Sequence, residues 1–158
     1  MDAFYQTLIS ICFTLMGLWW AVVQFRHDEW MNDPDHRRMA YAVYLSFLVP
    51  GMMSMGSLVS GDVRFIWQAV FVVSAILGGA ATFFMFQSVK KGAAHGWLFQ
   101  GGRWVVIALY ALVALFAIEP GLAAPLKPLQ VEGLLLSGLI FLGVNFAWTL
   151  MAHPKESA

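Results

Sequence analysis

The stretch FIWQAVFVVSAILGGAATFFMFQSV, residues 65–89, runs for 25 residues without an Asp, Glu, Lys, Arg or His. At 1.5 Å per residue a helix of that length is about 37 Å long, enough to cross a hydrocarbon core of about 30 Å. A buried helix in a water-soluble domain needs neither that length nor that uniformity. The chain therefore reads as a membrane protein, and the rest of it can be searched for companions of the same kind.

Three further runs, residues 3–25, 39–61 and 133–152, are equally free of charge. An ionised side chain at mid-membrane costs roughly 2.5 to 3.5 kcal/mol on the insertion scale, which is why such runs stay empty of them. A fifth run, residues 104–118, has nothing more polar than Tyr110, but Arg103 and Glu119 confine it to about 22 Å. Snorkelling of Arg103 and an earlier helix start restore a full crossing. The predicted fold class is an all-α membrane protein, a bundle of five transmembrane helices in a single integral membrane domain, residues 1–158. The spans are expected at residues 3–25, 39–60, 64–89, 100–119 and 129–152. A four-span variant follows if 104–118 does not cross.

Composition agrees. Of 158 residues, 60% are hydrophobic and 11% charged, against about a quarter charged in soluble domains. Nine Lys and Arg balance nine Asp and Glu, so no basic excess exists to neutralise phosphates, and nucleic acid is not an expected partner. Cys12 is the single cysteine, which excludes an internal disulfide or a cysteine metal cage. Ile11 occupies the place where a lipobox wants a small residue. The start Met1-Asp2-Ala3-Phe4 lacks the positive segment of a secretory signal, so the first apolar run is expected to be retained.

Orientation follows from the cations. With the N-terminus outside, Arg26, Arg37, Arg38, Lys90, Lys91, Arg103 and Lys155 fall on the inner side and only Arg64 and Lys127 on the outer. The expected location is a plasma membrane of bacterial inner-membrane type, with a cytoplasmic C-terminus. Trp19, Trp20, Trp30, Trp97, Trp104 and Trp148 are expected at the inner headgroup level, and Trp67 at the outer one.

The connections contain helix punctuation. Asp33 suits an N-cap with Pro34 at the first helical position. Ser60-Gly61-Asp62 leaves room only for a tight antiparallel hairpin, with Asp62 as a cap. Lys90 and Lys91 complement a helix C-terminus, and Gly92 suits its stop. Pro120, Pro125 and Pro128 confine the last connection to extended or turn structure. The segment 94–103 reads as an interfacial re-entrant piece or as the start of the fourth helix.

Helices in lipid associate through small residues and interhelical hydrogen bonds. On the first span Gln6, Ser10, Thr14, Gly17, Ala21 and Gln24 form one stripe, expected to face inward. Comparable stripes are Ser46, Pro50, Ser54 and Ser57 on the second span, Ser74, Gly78 and Ala81 on the third, and Ser137, Asn145 and Thr149 on the fifth. The fourth has none and is expected at the lipid-facing periphery. Gln6, Ser10, Thr14, Ser46, Ser54, Ser57 and Asn145 could line a polar path, although packing is the simpler reading. Five helices are few to enclose a path, so conduction would require an oligomer.

Ionisable groups at mid-membrane, the usual marks of a proton relay, are missing. Glu132 comes nearest, and its position one turn after Pro128 suggests a carboxylate stabilised by the helix dipole at the outer surface. His27, His36, His95 and His153 all fall on the inner side, where Asp28, Glu29, Asp33 and Asp35 could join them in a divalent metal site. Their spacing matches no dedicated motif, and mutual pairing in a hydrated loop is the simpler reading. Met52, Met53 and Met55 beside Pro50 and Gly51 suit soft copper(I) in principle, but also the filling of an irregular cavity. Pro50 and Gly51 are a candidate hinge. No catalytic constellation and no cofactor is expected.

The functional expectation is a non-enzymatic, multi-pass protein acting as an oligomeric channel or transporter-like component. Its partners would be the lipid bilayer and further copies of itself or another membrane protein. The first alternative is an accessory or assembly subunit of a larger complex. The second is a metal protein or enzyme using the inner His and Asp cluster.

Overall fold

The computed structural model describes residues 2–61, 63–87 and 97–152. They form α1 (Asp2–Phe25), the short α2 (His27–Asn32), α3 (Pro34–Ser60), α4 (Arg64–Gln87), α5 (Trp97–Ile118), a 3-10 turn (Pro120–Ala123) and α6 (Pro128–Met151). Five of these helices are long and apolar enough to cross a membrane, the fourth span among them. The architecture is the all-α bundle expected, with no strand among the described residues.

α3, α4, α5 and α6 close into a four-membered ring, each packed on its two neighbours, and α1 lies outside it on α3, touching α6. α5 meets α4, α6 and the 3-10 turn; expected to be the lipid-facing helix, it is instead one member of the ring and no more exposed than α1 or α4. One end of the bundle gathers the start of α1, the α3–α4 turn, the 3-10 turn and the start of α6; this is called the hairpin end. The other, the α2 end, gathers α2, the start of α3 and the last turn of α6.

Local chemistry sets the boundaries. Asp33 is extended at φ −99° and ψ 115°, and its side chain accepts from the backbone N–H of Asp35 at 3.0 Å, while Pro34 opens α3. At the other end of α3, Gly61 turns the chain at φ +50°, a conformation that disfavours a Cβ. α4 starts three residues later. Asp62, Lys90, Lys91 and Gly92, expected as caps and stop, lie outside the described residues. Pro128 opens α6, with the Gln130 side chain accepting from the Lys127 N–H at 3.0 Å. Of segment 94–103, residues from Trp97 onward begin α5 as regular helix.

His36 Nδ1 is hydrogen-bonded to the Asp33 carboxylate. That bond, followed by the one from Asp35, holds the Asp33 carboxyl below its usual value. A folded-state value below the unfolded one stabilises the fold above about pH 4, and the benefit disappears as pH falls through the folded value. Asp33→Ala is expected to lose about 0.5–2 kcal/mol of stability at neutral pH. Its unfolding midpoint is then less sensitive to acid below about pH 4 than that of the wild type, as a pH series of thermal melts will show.

The α2 end departs from expectation in its aromatics. Trp20, Trp104 and Trp148 are exposed, as amphipathic indoles at headgroup depth would be. Trp19 and Trp30 are instead buried, their ring centroids 5.7 Å apart, and Trp19 donates its indole N–H to the Ala40 carbonyl at 2.9 Å. The reason is α2, which folds back from α1 and carries Trp30 into the gap between α1 and α3; Arg26 caps that ring at 5.7 Å. Trp67, expected at the outer headgroup level, is also buried, edge-on to Phe71.

Candidate functional site

The stripe on α1 corrects the sequence reading. Gln6, Ser10, Thr14, Gly17, Ala21 and Gln24 all lie on the exposed face, and the buried face is Tyr5, Leu8, Cys12, Met16, Trp19 and Val23. Both sets recur every three or four residues, so only one can face α3. The second wins because it carries the larger rings and the indole donor. Turning Ser10 outward is inexpensive, since its hydroxyl donates to the Gln6 carbonyl at 3.0 Å.

On α3 the stripe points inward, with Ser46, Pro50, Ser54 and Ser57 buried. Ser46 donates to the Ala42 carbonyl at 2.9 Å. Gly51 lies where α1 and α3 approach closely, since a Cβ there would stand 3.1 Å from Cys12 Cβ. Met53 is buried while Met52 and Met55 are exposed, so the three thioethers diverge. On α6, Asn145 donates back to the Phe141 carbonyl at 2.7 Å and lies towards the outside.

His27 lies 3.4 Å from Asp28 and is exposed; His36 pairs with Asp33. His95 and His153 lie outside the described residues. Among the described residues no three His, Cys, Asp or Glu come together in a way that could hold a metal ion.

The residue that stands out is Glu132. It is fully buried, and neither carboxylate oxygen has a hydrogen-bond partner among the described residues. The sequence reading placed it at the surface near the helix dipole; the structure puts it on the inward face of α6, in line with Leu136, Leu139, Ile140 and Gly143. That face was visible as helical periodicity, because residues 132, 136, 139, 143, 147 and 150 share one side of a 3.6-residue helix.

α1 and α3 both pack on α6, the helix that carries this carboxyl. From α1, Tyr5 is buried within electrostatic reach of Glu132 and donates its hydroxyl to the Leu129 carbonyl at 2.7 Å. Phe4 covers the adjacent turn, where a Cβ on Gly133 would meet its ring at 2.6 Å. From α3, the facing positions follow from the antiparallel register. A Cβ on Gly143 would lie 2.8 Å from Ser46 Cβ, so 46 faces 143. Counting eleven residues, about three turns, along each helix from that contact brings Ser57, also buried, to the level of Glu132. One turn nearer the middle is Ser54, fully buried, whose hydroxyl is also without a partner among the described residues. Ser60, towards the hairpin end, donates to the Ser57 carbonyl at 2.8 Å.

No protein-family model, curated protein or solved structure matches the chain. What the site can do must come from its own atoms, and those are oxygens: a carboxyl, two serine hydroxyls and a phenol. The basic side chains described at this end, Arg64 and Lys127, are exposed. A partly open, mostly apolar pocket of about 310 Å³ lies between the end of α4 and the start of α5, lined by Phe83, Gln87, Arg103, Trp104 and Ile107.

Proposed function

We propose that this multi-pass membrane protein works as one protomer of an oligomeric, transporter-like assembly in a plasma membrane, with the hairpin end outside. The observation that carries the reading is the outward stripe of α1. Gln6, Ser10, Thr14 and Gln24, interleaved with Gly17 and Ala21, are the polar and small residues that another transmembrane helix packs against. A helix face of this composition gains little from lipid tails and more from a second helix able to approach closely.

Two further features favour transport over a purely structural role. Ser46, Ser54 and Ser57 form a polar strip inside the bundle, and Glu132 brings a carboxyl to its end. A buried acid is expensive in a membrane and is commonly kept for function.

Native mass measurement after gentle extraction, combined with solute flux in liposomes, tests the reading. A homo-oligomer with flux supports it. A monomer in both mild detergent and nanodiscs opposes it, and a stoichiometric unlike partner on α1 points to the accessory role. Gly17 sharpens the test, since a Cβ there meets nothing within 4 Å in the protomer. Gly17→Val is expected to leave protomer stability within about 0.5 kcal/mol of wild type while reducing the oligomer fraction in the native mass spectrum.

A further inference from the structure

We propose that Glu132 of α6, Ser54 and Ser57 of α3 and Tyr5 of α1 form a binding site for a small monovalent metal cation of the sodium type. The proposal gives the transporter-like reading a ligand class but does not depend on it, because the site lies within one protomer.

The starting observation is an imbalance of acceptors. Both Glu132 oxygens and the Ser54 hydroxyl are buried and unpartnered among the described residues. Buried polar atoms are nearly always satisfied, so three orphans on facing stripes call for a missing partner. The Tyr5 hydroxyl spends its proton on the Leu129 carbonyl, one turn before Glu132, which leaves its oxygen available as an acceptor. Ser57, level with Glu132 by the register of α3 and α6, supplies a further oxygen.

The chemistry of the partner follows from the donor set. Oxygen ligands alone suit a hard cation and not a soft one. One carboxylate among neutral oxygens balances one positive charge, whereas calcium-type sites generally gather several acids. The other charged groups described at this end are Asp2, Arg64, Glu119 and Lys127; all are exposed, and among the described residues no basic side chain is paired with Glu132. A proton would remove the charge but add a buried O–H donor, and would leave the other oxygen and Ser54 without partners. A metal cation satisfies all of them together, and it offsets the several kcal/mol that an unpaired buried carboxylate costs.

The test uses the full-length protein in nanodiscs, melted in sodium chloride against choline chloride of equal ionic strength at fixed pH. A ligand of the folded state raises the midpoint by mass action. The expected result is a saturable rise of roughly 5 °C at a sodium concentration about 100 times Kd, absent in Glu132→Gln. Ser54→Ala is expected to melt like the wild type in choline but to need several-fold more sodium for the same rise. Equal wild-type midpoints in sodium and choline overturn the proposal. So does a rise that persists in Glu132→Gln, which marks a surface salt effect, or a midpoint indifferent to sodium that moves with pH only when Glu132 is present, which marks a proton site. If Glu132→Gln does not fold, the wild-type titration and Ser54→Ala decide, and unchanged sodium dependence in Ser54→Ala overturns the site as drawn. None of these readouts involves oligomer mass, so failure here is distinguishable from failure of the assembly reading.

Discussion

Trp30→Ala is expected to destabilise the protein by about 3–5 kcal/mol, the range for removing a large buried ring. Trp30 is fully buried, and its removal leaves a void bounded by Trp19 and the Arg26 side chain. α2 has only six residues, too few to be stable alone, so the ring is what fastens it to the bundle. Trp20→Ala is the control: its indole is half exposed and packs edge-on to Tyr44, so its loss is expected to cost far less. Thermal or denaturant melts of both variants in the same detergent will separate a plug from an interfacial anchor. Similar losses for the two would show that Trp30 acts merely as a headgroup-seeking indole.

A second large effect is expected at the crossing of α3 and α6. A Cβ on Gly143 would stand 2.8 Å from Ser46 Cβ and 2.9 Å from the Phe47 ring. Both partners are buried and cannot swing into open space. Gly143→Val therefore pushes the two central helices apart, and a cost of roughly 1–3 kcal/mol or more is expected from overpacking. Because 46 facing 143 sets the register that brings Ser57 to the level of Glu132, the same variant is expected to weaken the sodium-dependent rise in the melting midpoint. Gly138→Val, where a Cβ makes only ordinary contact with Leu109 at 3.6 Å, is expected to do neither. Unaltered stability of Gly143→Val would mean that α3 and α6 do not meet as closely as described.

Parts of the site were legible before the structure. Ser46, Ser54 and Ser57 were placed on one stripe of the second span by spacing alone, and that stripe is buried. For Glu132 the closeness to Pro128 points to the surface, and the structure buries it instead. Its spacing from Leu136, Leu139 and Gly143 belongs to the buried face, and that was the better guide. Tyr5 carried no signal at all. A tyrosine near a helix start is unremarkable until another helix brings a carboxyl to it.

Read alone, the chain yielded the solvent, the five long apolar helices, the Asp33 cap and the tight turn at Gly61. Each of these depends on one segment at a time: a run's length and freedom from charge decide whether lipid accepts it, and a cap or turn is made by neighbours in sequence. Which face of α1 turns inward, where Trp30 goes and what surrounds Glu132 were settled only by the assembled bundle. On α1 two stripes of equal period compete for α3, and the outcome depends on the shapes of the opposing helix, the gap at Gly51 and the carbonyl of Ala40. Such choices are differences between pairwise packing energies, so neither helix contains the answer by itself.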